Sequence, residues 1–299
     1  MEPAGVPVAL PEDRFNGSPA ALGKLRRTRW CGVTCIWSPD AAVYCVPTLI
    51  TLTLVFGVVF TLWDELGLVE LCVLFALLSV AFTSSLLVVS TDPGVYPRLR
   101  PAEVDPFHND RSLVYCRVCA LRRPPRTSHC YQCNVCVWEH DHHCGIIGGC
   151  VGQRSLRWFT LYLLTTSGAS SMGVFWVCRS LFTGAFAVAS RRQFANGIPR
   201  NRSASVLAMQ NERDDDAVKP LVVVTLLVLL LLVVFLVGSL AIFYVYLVLT
   251  STTRRESQRM ESKPSTLLQP KIMWDNLMHV FHPPRSMLIA RNDEISPLV

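Results

Sequence analysis

The chain has 299 residues, of which 51% are hydrophobic and only 17% charged, and its formal net charge is +6 at pH 7. This composition is typical of a membrane protein. The positive charge is modest and no stripe of alternating basic and aromatic residues is present, so anionic lipid headgroups are favoured over nucleic acid as partners. The first long apolar run begins past residue 40, and we therefore expect no cleavable signal peptide.

Four long apolar runs predict four membrane-spanning helices. Each is long enough to cross a hydrocarbon core of ~30 Å as a helix, and together they cover Val43 to Trp63, Leu71 to Val89, Trp158 to Cys178 and Leu221 to Leu249. Directly after the second run, Thr91-Asp92-Pro93-Gly94 predicts a helix stop and a turn. An even number of spans places both termini on one side of the membrane, and the basic residues beside the spans indicate the cytosolic side.

Potential metal ligands are concentrated between the second and third runs. Residues 116–159 hold seven of the twelve cysteines and four of the seven histidines. Cys116-x-x-Cys119 and Cys130-x-x-Cys133 each have the spacing of a zinc knuckle, at which two thiolates can reach one tetrahedral ion. An odd number of cysteines mixed with histidines favours metal binding over disulfide bonds. Two tetrahedral sites use eight ligands, so this segment has residues to spare for chemistry.

Asp141-His142-His143-Cys144 places an acid, two imidazoles and a thiol in four consecutive positions. A neighbouring imidazolium lowers the pKa of a thiol, and a carboxylate can hold that imidazole in one tautomer, as in a catalytic triad. The same four residues could instead be metal ligands, and their spacing alone leaves the two interpretations open.

This segment resembles the cysteine-rich domain of the DHHC family of zinc-binding protein S-acyltransferases (palmitoyltransferases). The resemblance rests on these residues: Cys116, Cys119, Arg123-Pro124-Pro125-Arg126, His129-Cys130, Cys133, Cys136, Asp141-His142-His143-Cys144, Cys150-Val151-Gly152 and Phe159. Asp92-Pro93-Gly94 is similar to the motif that follows the second span in the family. Thr252-Thr253-Arg254-Arg255-Glu256 resembles the Thr-Thr-x-Glu motif with its acid one residue late, and Asn276 to Phe281 resembles a C-terminal family segment.

The resemblance implies two structural zinc ions and one nucleophile. The first zinc would be held by Cys116, Cys119, His129 and Cys136, and the second by Cys130, Cys133, His143 and Cys150. Cys144 would be the acylated nucleophile, His142 its base, and Asp141 the residue that orients this base. His140 receives no role, and we expect it to be solvated.

The fold implied is an all-α polytopic membrane protein, with four transmembrane helices and a cytosolic zinc-binding cysteine-rich domain between spans two and three. The expected segments are a cytosolic tail at 1–42, spans one and two within 43–90, the zinc domain at 91–157, spans three and four within 158–249 with a luminal loop at about 190–220, and a cytosolic C-terminal region at 250–299. Two sequons follow this topology: Asn201 would be luminal and open to glycosylation, and Asn16 cytosolic.

The activity implied is a protein S-palmitoyltransferase, which moves a fatty acyl group from acyl-CoA, such as palmitoyl-CoA, to cysteines of membrane-associated proteins at the cytosolic face. Golgi or endoplasmic reticulum is the expected compartment. Arg122, Arg123 and Arg126 would pair with CoA phosphates or, as we rather expect, form hydrogen bonds within the zinc domain. In the family that the chain resembles, a cavity among the spans measures the acyl chain, so the small residues at 168–171 of the third span would tolerate chains of sixteen or more carbons.

Four positions depart from the family pattern. Gly145 and Ile146 replace the usual Pro-Trp, and Gly149 and Ser155 replace two asparagines. The ligands implied for zinc are intact, but the loop beside the nucleophile is altered. The alternative function is therefore a catalytically weak or inactive zinc-stabilised membrane adaptor of the same fold.

Overall fold

The computed structural model describes residues 22–30, 33–96, 98–99, 104–105, 107–195, 206–258 and 269–284. Both predicted sequons, at Asn16 and Asn201, lie outside these ranges. The described chain is mostly helical, with short antiparallel strand pairs in the cysteine-rich segment and before the first long helix.

Four helices are long and apolar enough to cross a membrane, which confirms the predicted number of spans. The helices of the described chain are α1 (Cys45–Thr61), α2 (Leu68–Ser90), α3 (Leu156–Ala195), α4 (Val206–Leu249), α5 (Arg254–Gln258) and α6 (Pro270–Phe281). Both α3 and α4 continue past the apolar runs that predicted them. The cysteine-rich segment lies between α2 and α3, as expected.

The chain divides into two compact units. One, which we call the helical unit, comprises Cys45–Ser85 and Thr160–Tyr246, and the other, the cysteine-rich unit, comprises the residues up to Tyr44, Leu86–Phe159 and the residues from Leu247 onward. The core of the helical unit is formed by apolar side chains from all four long helices, among them Val58, Leu74, Trp176 and Leu226.

The helical unit contains one ion pair that the sequence analysis did not predict. Nη1 of Arg179 on α3 lies 2.7 Å from Oε1 of Glu70 on α2, and Nη2 donates to the backbone oxygen of Glu65 at 2.8 Å. The carboxylate of Glu70 balances the charge of Arg179, which lowers the cost of holding a guanidinium beside apolar helices.

The cysteine-rich unit is built from strand pairs of two to five residues. These are β1 (Arg26–Trp30) with β2 (Val33–Trp37), β4 (Tyr115–Cys116) with β5 (Leu121–Arg122), β8 (His142–Cys144) with β9 (Gly149–Val151), and β7 (Val135–Val137) between β3 (Val95–Tyr96) and β6 (Ser128–Cys130). Isolated pairs this short are not stable in water by themselves. The register of two of these pairs brings potential metal ligands together, because it places His129 opposite Cys136 and His143 opposite Cys150.

The N-terminal hairpin β1–β2 packs on the centre of this unit. Leu22, Leu25 and Ile36 are buried in one cluster with Val135 and Val137. The backbone N–H of Lys24 donates to the carbonyl of Cys133 at 2.8 Å. The sequence analysis treated residues 1–42 as a tail, so this docking is a structural feature that it missed.

Candidate functional site

The first group of ligands, the first cluster, contains Cys116, Cys119, His129 and Cys136, all buried. Nδ1 of His129 faces the three sulfurs, at 3.6 Å from Cys116, 3.4 Å from Cys119 and 3.8 Å from Cys136. β4 and the turn after it supply one thiol each, and the β6–β7 pair supplies the other two ligands. The whole set comes from one continuous stretch of chain.

The second group, the second cluster, contains Cys130, Cys133, His143 and Cys150. Nδ1 of His143 lies 3.6 Å from the sulfur of Cys130, 3.5 Å from that of Cys133 and 3.5 Å from that of Cys150. The sulfurs of Cys133 and Cys150 are 3.5 Å apart. The end of β6 and the β6–β7 turn contribute one residue each and the β8–β9 pair the other two, so the two clusters share the hairpin β6–β7.

These distances fit zinc. With Zn–S bonds of about 2.3 Å and Zn–N bonds of about 2.0–2.1 Å, a tetrahedral ion separates ligand sulfur from ligand nitrogen by about 3.6 Å and two sulfurs by about 3.8 Å. Both sets have three thiols and one imidazole, a donor combination that zinc favours in structural sites. The two clusters could therefore each hold one zinc ion, with the membership that the resemblance implied.

Cys144 is the cysteine of residues 116–150 that belongs to neither cluster. It ends β8, is partly buried, and forms a hydrogen bond with the side chain of His142. His142 in turn donates from Nδ1 to Oδ2 of Asp141, at 2.8 Å. Phe159 meets the His142 ring edge to face, with the ring centroids 5.5 Å apart. A thiol, an imidazole and a carboxylate thus form one connected series.

The surroundings of this series make proton transfer from the thiol easier. Burial lowers the pKa of His142, but hydrogen bonds to Asp141 and Cys144 outweigh it and raise this pKa to about 8. Burial raises the pKa of Cys144, yet the hydrogen bond with His142 and the backbone N–H groups of Ile146 and Ile147 bring it below its ordinary value. An imidazole that holds a proton more strongly, beside a thiol that holds one less strongly, favours the thiolate–imidazolium pair.

Comparison with known proteins agrees with this arrangement. The family model described as DHHC palmitoyltransferase matches residues 109–261, slightly more than half of the chain. The chain belongs to the DHHC palmitoyltransferase family. It is similar to the palmitoyltransferase ZDHHC18-A of Danio rerio, at 32% identity over 179 residues, covering 50% of this chain and 36% of that protein.

Two further relatives match a shorter stretch. The palmitoyltransferase ERF2 of Candida glabrata is 38% identical over 101 residues, which cover 28% of this chain and 31% of that protein. The palmitoyltransferase ZDHHC5 of Homo sapiens is 40% identical over 98 residues, which cover 28% of this chain and 13% of that protein. The matches therefore span little more than a third of these relatives, or less.

Residues of the C-terminal region reach Asp141 and support it. The backbone N–H of Arg254 donates to Oδ1 of Asp141 at 2.5 Å, so both carboxylate oxygens of Asp141 accept hydrogen bonds. Thr253 and Glu256 form a reciprocal cap at the start of α5, at 2.8 Å and 3.3 Å. The Glu that stands one residue late in the sequence motif is therefore in place to cap this helix.

Arg126 connects three parts of the cysteine-rich unit. Its guanidinium donates to Glu139 at 2.8 Å, to Glu256 at 3.1 Å and to the backbone oxygen of Ser251 at 3.0 Å. Nη1 of Arg122 likewise donates to the backbone oxygen of Leu113, at 3.1 Å. These contacts favour the second of the two roles that we considered for these arginines, hydrogen bonding within the domain. Farther along, Asn276 on α6 donates to the backbone oxygen of Leu249 at 2.7 Å.

The residues after Cys144 differ in how tightly they are packed. Ser155, at a position where the family pattern has Asn, is completely buried, donates to the backbone oxygen of Cys150 at 2.9 Å and accepts from the N–H of Gly152 at 3.1 Å. Gly148 has φ +76°, and a Cβ there would collide with the backbone oxygen of Asp40. Gly145 is different: a Cβ there would meet no atom within 4 Å, so the residue after Cys144 is loosely packed.

Two residues that the sequence analysis did not assign lie against the second cluster. His140, expected to be solvated, is only 3% exposed, and this expectation was wrong. Oδ2 of Asp40 lies 3.2 Å from Nε2 of His143, although the ring N–H is not directed at it as in a hydrogen bond. The sequence signal for His140 was limited to its place directly before the Asp141–Cys144 motif. For Asp40, about a hundred residues upstream of its partner, the sequence contained none.

Proposed function

We propose that this protein is a palmitoyltransferase that transfers a fatty acyl group from acyl-CoA to cysteines of membrane-associated proteins. One observation carries the proposal: both clusters are complete without Cys144, and this thiol is hydrogen bonded to an imidazole that a buried carboxylate orients. Membership of the DHHC family and the palmitoyltransferase names of the relatives support the same conclusion. In this proposal the eight cluster residues are the zinc ligands.

The first step loads the enzyme. His142 donates a proton from Nδ1 to Asp141, so its Nε2 is the nitrogen that takes the proton from the thiol of Cys144. The thiolate attacks the carbonyl carbon of the acyl-CoA thioester. The bond between that carbon and the CoA sulfur then breaks, and the CoA thiolate leaves with the proton held by His142.

The second step unloads it. His142 removes the proton of an acceptor protein's cysteine, and the resulting thiolate attacks the acyl group on Cys144. Cys144 leaves as a thiolate and regains its proton from His142, which returns the site to its starting state. Asp141 keeps one imidazole orientation through both steps, because its second oxygen is held by the N–H of Arg254. The eight cluster residues would hold two zinc ions, which would cross-link the short strands that carry these residues.

The helical unit offers an apolar cavity for an acyl chain. Its lining includes Leu54, Val58 and Leu74 on one side and Ala169, Gly173 and Trp176 of α3 on the other. The residues at 169 and 173 leave room, whereas Trp176 is bulky and only 2% exposed. We expect chains of sixteen or more carbons to be accepted. Ala169→Phe should shift the preference to shorter chains, measured by competition between labelled acyl-CoAs. Unchanged preference would mean that this cavity does not measure the chain.

The proposed setting is an endomembrane of the cell, Golgi or endoplasmic reticulum, with both termini and the cysteine-rich unit in the cytosol. The free thiols support this orientation, because none of the described cysteines forms a disulfide and the cytosol is reducing. Acceptors would then be proteins whose cysteines lie at the cytosolic membrane surface. A glycan on Asn16 would contradict the orientation, and one on Asn201 would agree with it.

Autoacylation tests the proposed function. Purified full-length protein incubated with labelled palmitoyl-CoA should acquire a label that hydroxylamine removes, and Cys144→Ser should acquire none while retaining its zinc. Wild-type protein that holds two zinc ions but never takes up label would contradict the proposal and favour the adaptor. In that event, restoring Pro-Trp at positions 145 and 146 would test whether the loop is responsible, since proline holds the backbone after the nucleophile more firmly than glycine does.

A further inference from the structure

His140 lies between the end of β7 and the start of β8 and is almost completely buried, at 3% exposure. Its two ring nitrogens face Ser128 and Cys150, and the ring also interacts with the thiol of Cys130. Nδ1 is 2.9 Å from the hydroxyl oxygen of Ser128, and Nε2 is 3.8 Å from the sulfur of Cys150. Cys150 is a member of the second cluster. The imidazole therefore spans the distance from the hairpin β6–β7 to a ligand on β9.

A donor at this place meets an electrostatic need. Three thiolates and one divalent ion leave the second cluster with one excess negative charge, and Cys130, Cys133 and Cys150 are all buried. Burying a charge without compensation is costly, and hydrogen bonds from outside the ligand shell reduce this cost. Sulfur is larger than oxygen, so 3.8 Å is a reasonable contact for an N–H donor. An apolar side chain of the same size would fill the space and leave the sulfur without this donor.

We propose that His140 is a positioning residue of the second cluster, whose Nε2–H donates to the Cys150 thiolate while Ser128 holds the ring through Nδ1. The hydroxyl of Ser128 donates to Nδ1, which fixes the tautomer with the proton on Nε2. The inference depends on zinc at the second cluster and not on acyl transfer, so it can fail or hold independently of the proposed function. It also explains why a histidine is buried at a place where the eight ligands are already complete.

The consequence reaches the proposed nucleophile through the backbone. Cys150 pairs with His143 across β8–β9, and Cys144 is the next residue of β8. A Cys150 held in one position fixes this strand pair and with it the start of the loop at Gly145. His140 acts through Cys150 and is not itself a catalytic residue.

Two substitutions distinguish a hydrogen-bond donor from a residue that only fills space. His140→Gln keeps an N–H near the position of Nε2 but has a less suitable shape, whereas His140→Phe keeps the ring and has no donor. If the donor matters, the Phe variant should release zinc from the second cluster ~10–100-fold faster than wild type, the usual cost of losing such a partner, and the Gln variant should remain closer to wild type. If only packing matters, His140→Gln should release zinc faster than His140→Phe.

The experiment uses the purified full-length protein loaded with zinc, in detergent micelles. A colorimetric chelator reports the rate of zinc release, and iodoacetamide followed by peptide mass spectrometry reports which cysteines become reactive. In His140→Phe, we expect Cys130, Cys133 and Cys150 to become reactive first, while the first-cluster cysteines Cys116 and Cys119 serve as an internal control. Ser128→Ala should produce a smaller change in the same direction, because the ring then loses its second anchor.

The outcomes are unambiguous. Faster release from the second cluster in His140→Phe, with retention in His140→Gln, supports the inference. Equal rates of zinc release in His140→Phe and wild type, or faster release in His140→Gln than in His140→Phe, overturn the inference. If His140→Phe does not fold, Ser128→Ala and His140→Gln decide: a Ser128→Ala variant with wild-type release and wild-type cysteine reactivity overturns the inference, and selective opening of the second cluster in Ser128→Ala with retention in His140→Gln supports it.

Discussion

The two clusters have the same donors and different surroundings. Each contains three cysteines and one histidine that faces them through Nδ1. The ligands of each cluster come from one stretch of chain, Cys116 to Cys136 for the first and Cys130 to Cys150 for the second. The second takes its last two ligands from β8–β9 and is contacted by Asp40, His140 and the backbone of Lys24. The difference lies outside the ligands: residues before α1, Lys24 and Asp40, contact the second cluster.

This difference matters because the second cluster adjoins the proposed nucleophile. His143, one of its ligands, stands between His142 and Cys144 in the same strand. A change at the first cluster should affect the fold of the domain as a whole. A change at the second should affect the position of the catalytic residues before it affects the rest.

The largest expected effect comes from removing a ligand of the first cluster. Cys116→Ala should lose at least one zinc ion and misfold the domain, because structural zinc contributes an apparent ~10–16 kcal/mol to small domains and the two clusters share the hairpin β6–β7. Elemental analysis should find fewer than two zinc ions per chain, and melting of the domain should become broad or disappear. Two retained zinc ions with unchanged melting would mean that Cys116 is not a ligand.

Replacing the adjacent histidines His142 and His143 should impair different properties, acylation in one case and zinc binding in the other. His143→Ala should lose the zinc of the second cluster, whereas His142→Ala should keep both ions and acylate Cys144 about 10²–10⁴-fold more slowly, the usual value of general-base assistance. Zinc content and the rate of autoacylation, measured on the same preparations, separate the two. If His142→Ala also released zinc, the division between a metal-binding and a chemical histidine would be wrong.

The docked N-terminal hairpin offers a smaller perturbation. Gly23 has φ +60°, and a Cβ there would lie against the backbone oxygens of Cys133 and Asn134. Gly23→Ala should therefore destabilise the cysteine-rich unit by about 1–3 kcal/mol and make Cys133 reactive to alkylation before Cys116. Gly145→Ala is the matched control for stability, since it meets no atom within 4 Å. Equal opening of both clusters in Gly23→Ala would contradict the view that the hairpin supports only the second.

The smallest effect is expected at Asp40. Asp40→Asn keeps the shape of the side chain but removes the charge beside Nε2 of His143, and its half-exposed position limits the loss. We expect zinc release from the second cluster to accelerate by less than about tenfold, at the lower end of what such partners contribute. Asp275→Asn on α6, an exposed carboxylate of the same size, should change nothing. Identical release rates in the two variants would exclude Asp40 from the support of His143.

Much of this architecture could be predicted because metal ligands and spans leave short, regular signals. The Cys-x-x-Cys spacings gave the zinc knuckles, and uninterrupted apolar runs gave the four spans. The division into two ligand sets depended on family resemblance, since spacing alone left Asp141 to Cys144 open between ligands and catalytic residues. Spacing could not separate the two ligand sets because they interleave along the chain: the neighbouring residues His129 and Cys130 belong to different clusters.

What could not be predicted depends on contacts between distant parts of the chain. The strand β1 contains Arg26, Arg27 and Arg29, a composition that gives no sign of docking, whereas Ile36 on β2 and the preceding Leu22 and Leu25 are buried. Glu70 and Arg179 are on different helices, and a charge at the end of an apolar run gives no sign of its partner. His140 was expected to be solvated because no local pattern marks a histidine that donates to a metal ligand.

Intact-protein mass spectrometry under native conditions tests the central claim most directly, because it counts zinc and acyl groups on the same molecule. After incubation with palmitoyl-CoA, the account predicts a species with two zinc ions and one palmitoyl group, and peptide analysis should place that group on Cys144. Cys144→Ser should have two zinc ions and no acyl group. An acyl group found on a cluster cysteine, or acquired only when a zinc ion is lost, would contradict the separation of metal ligands from nucleophile.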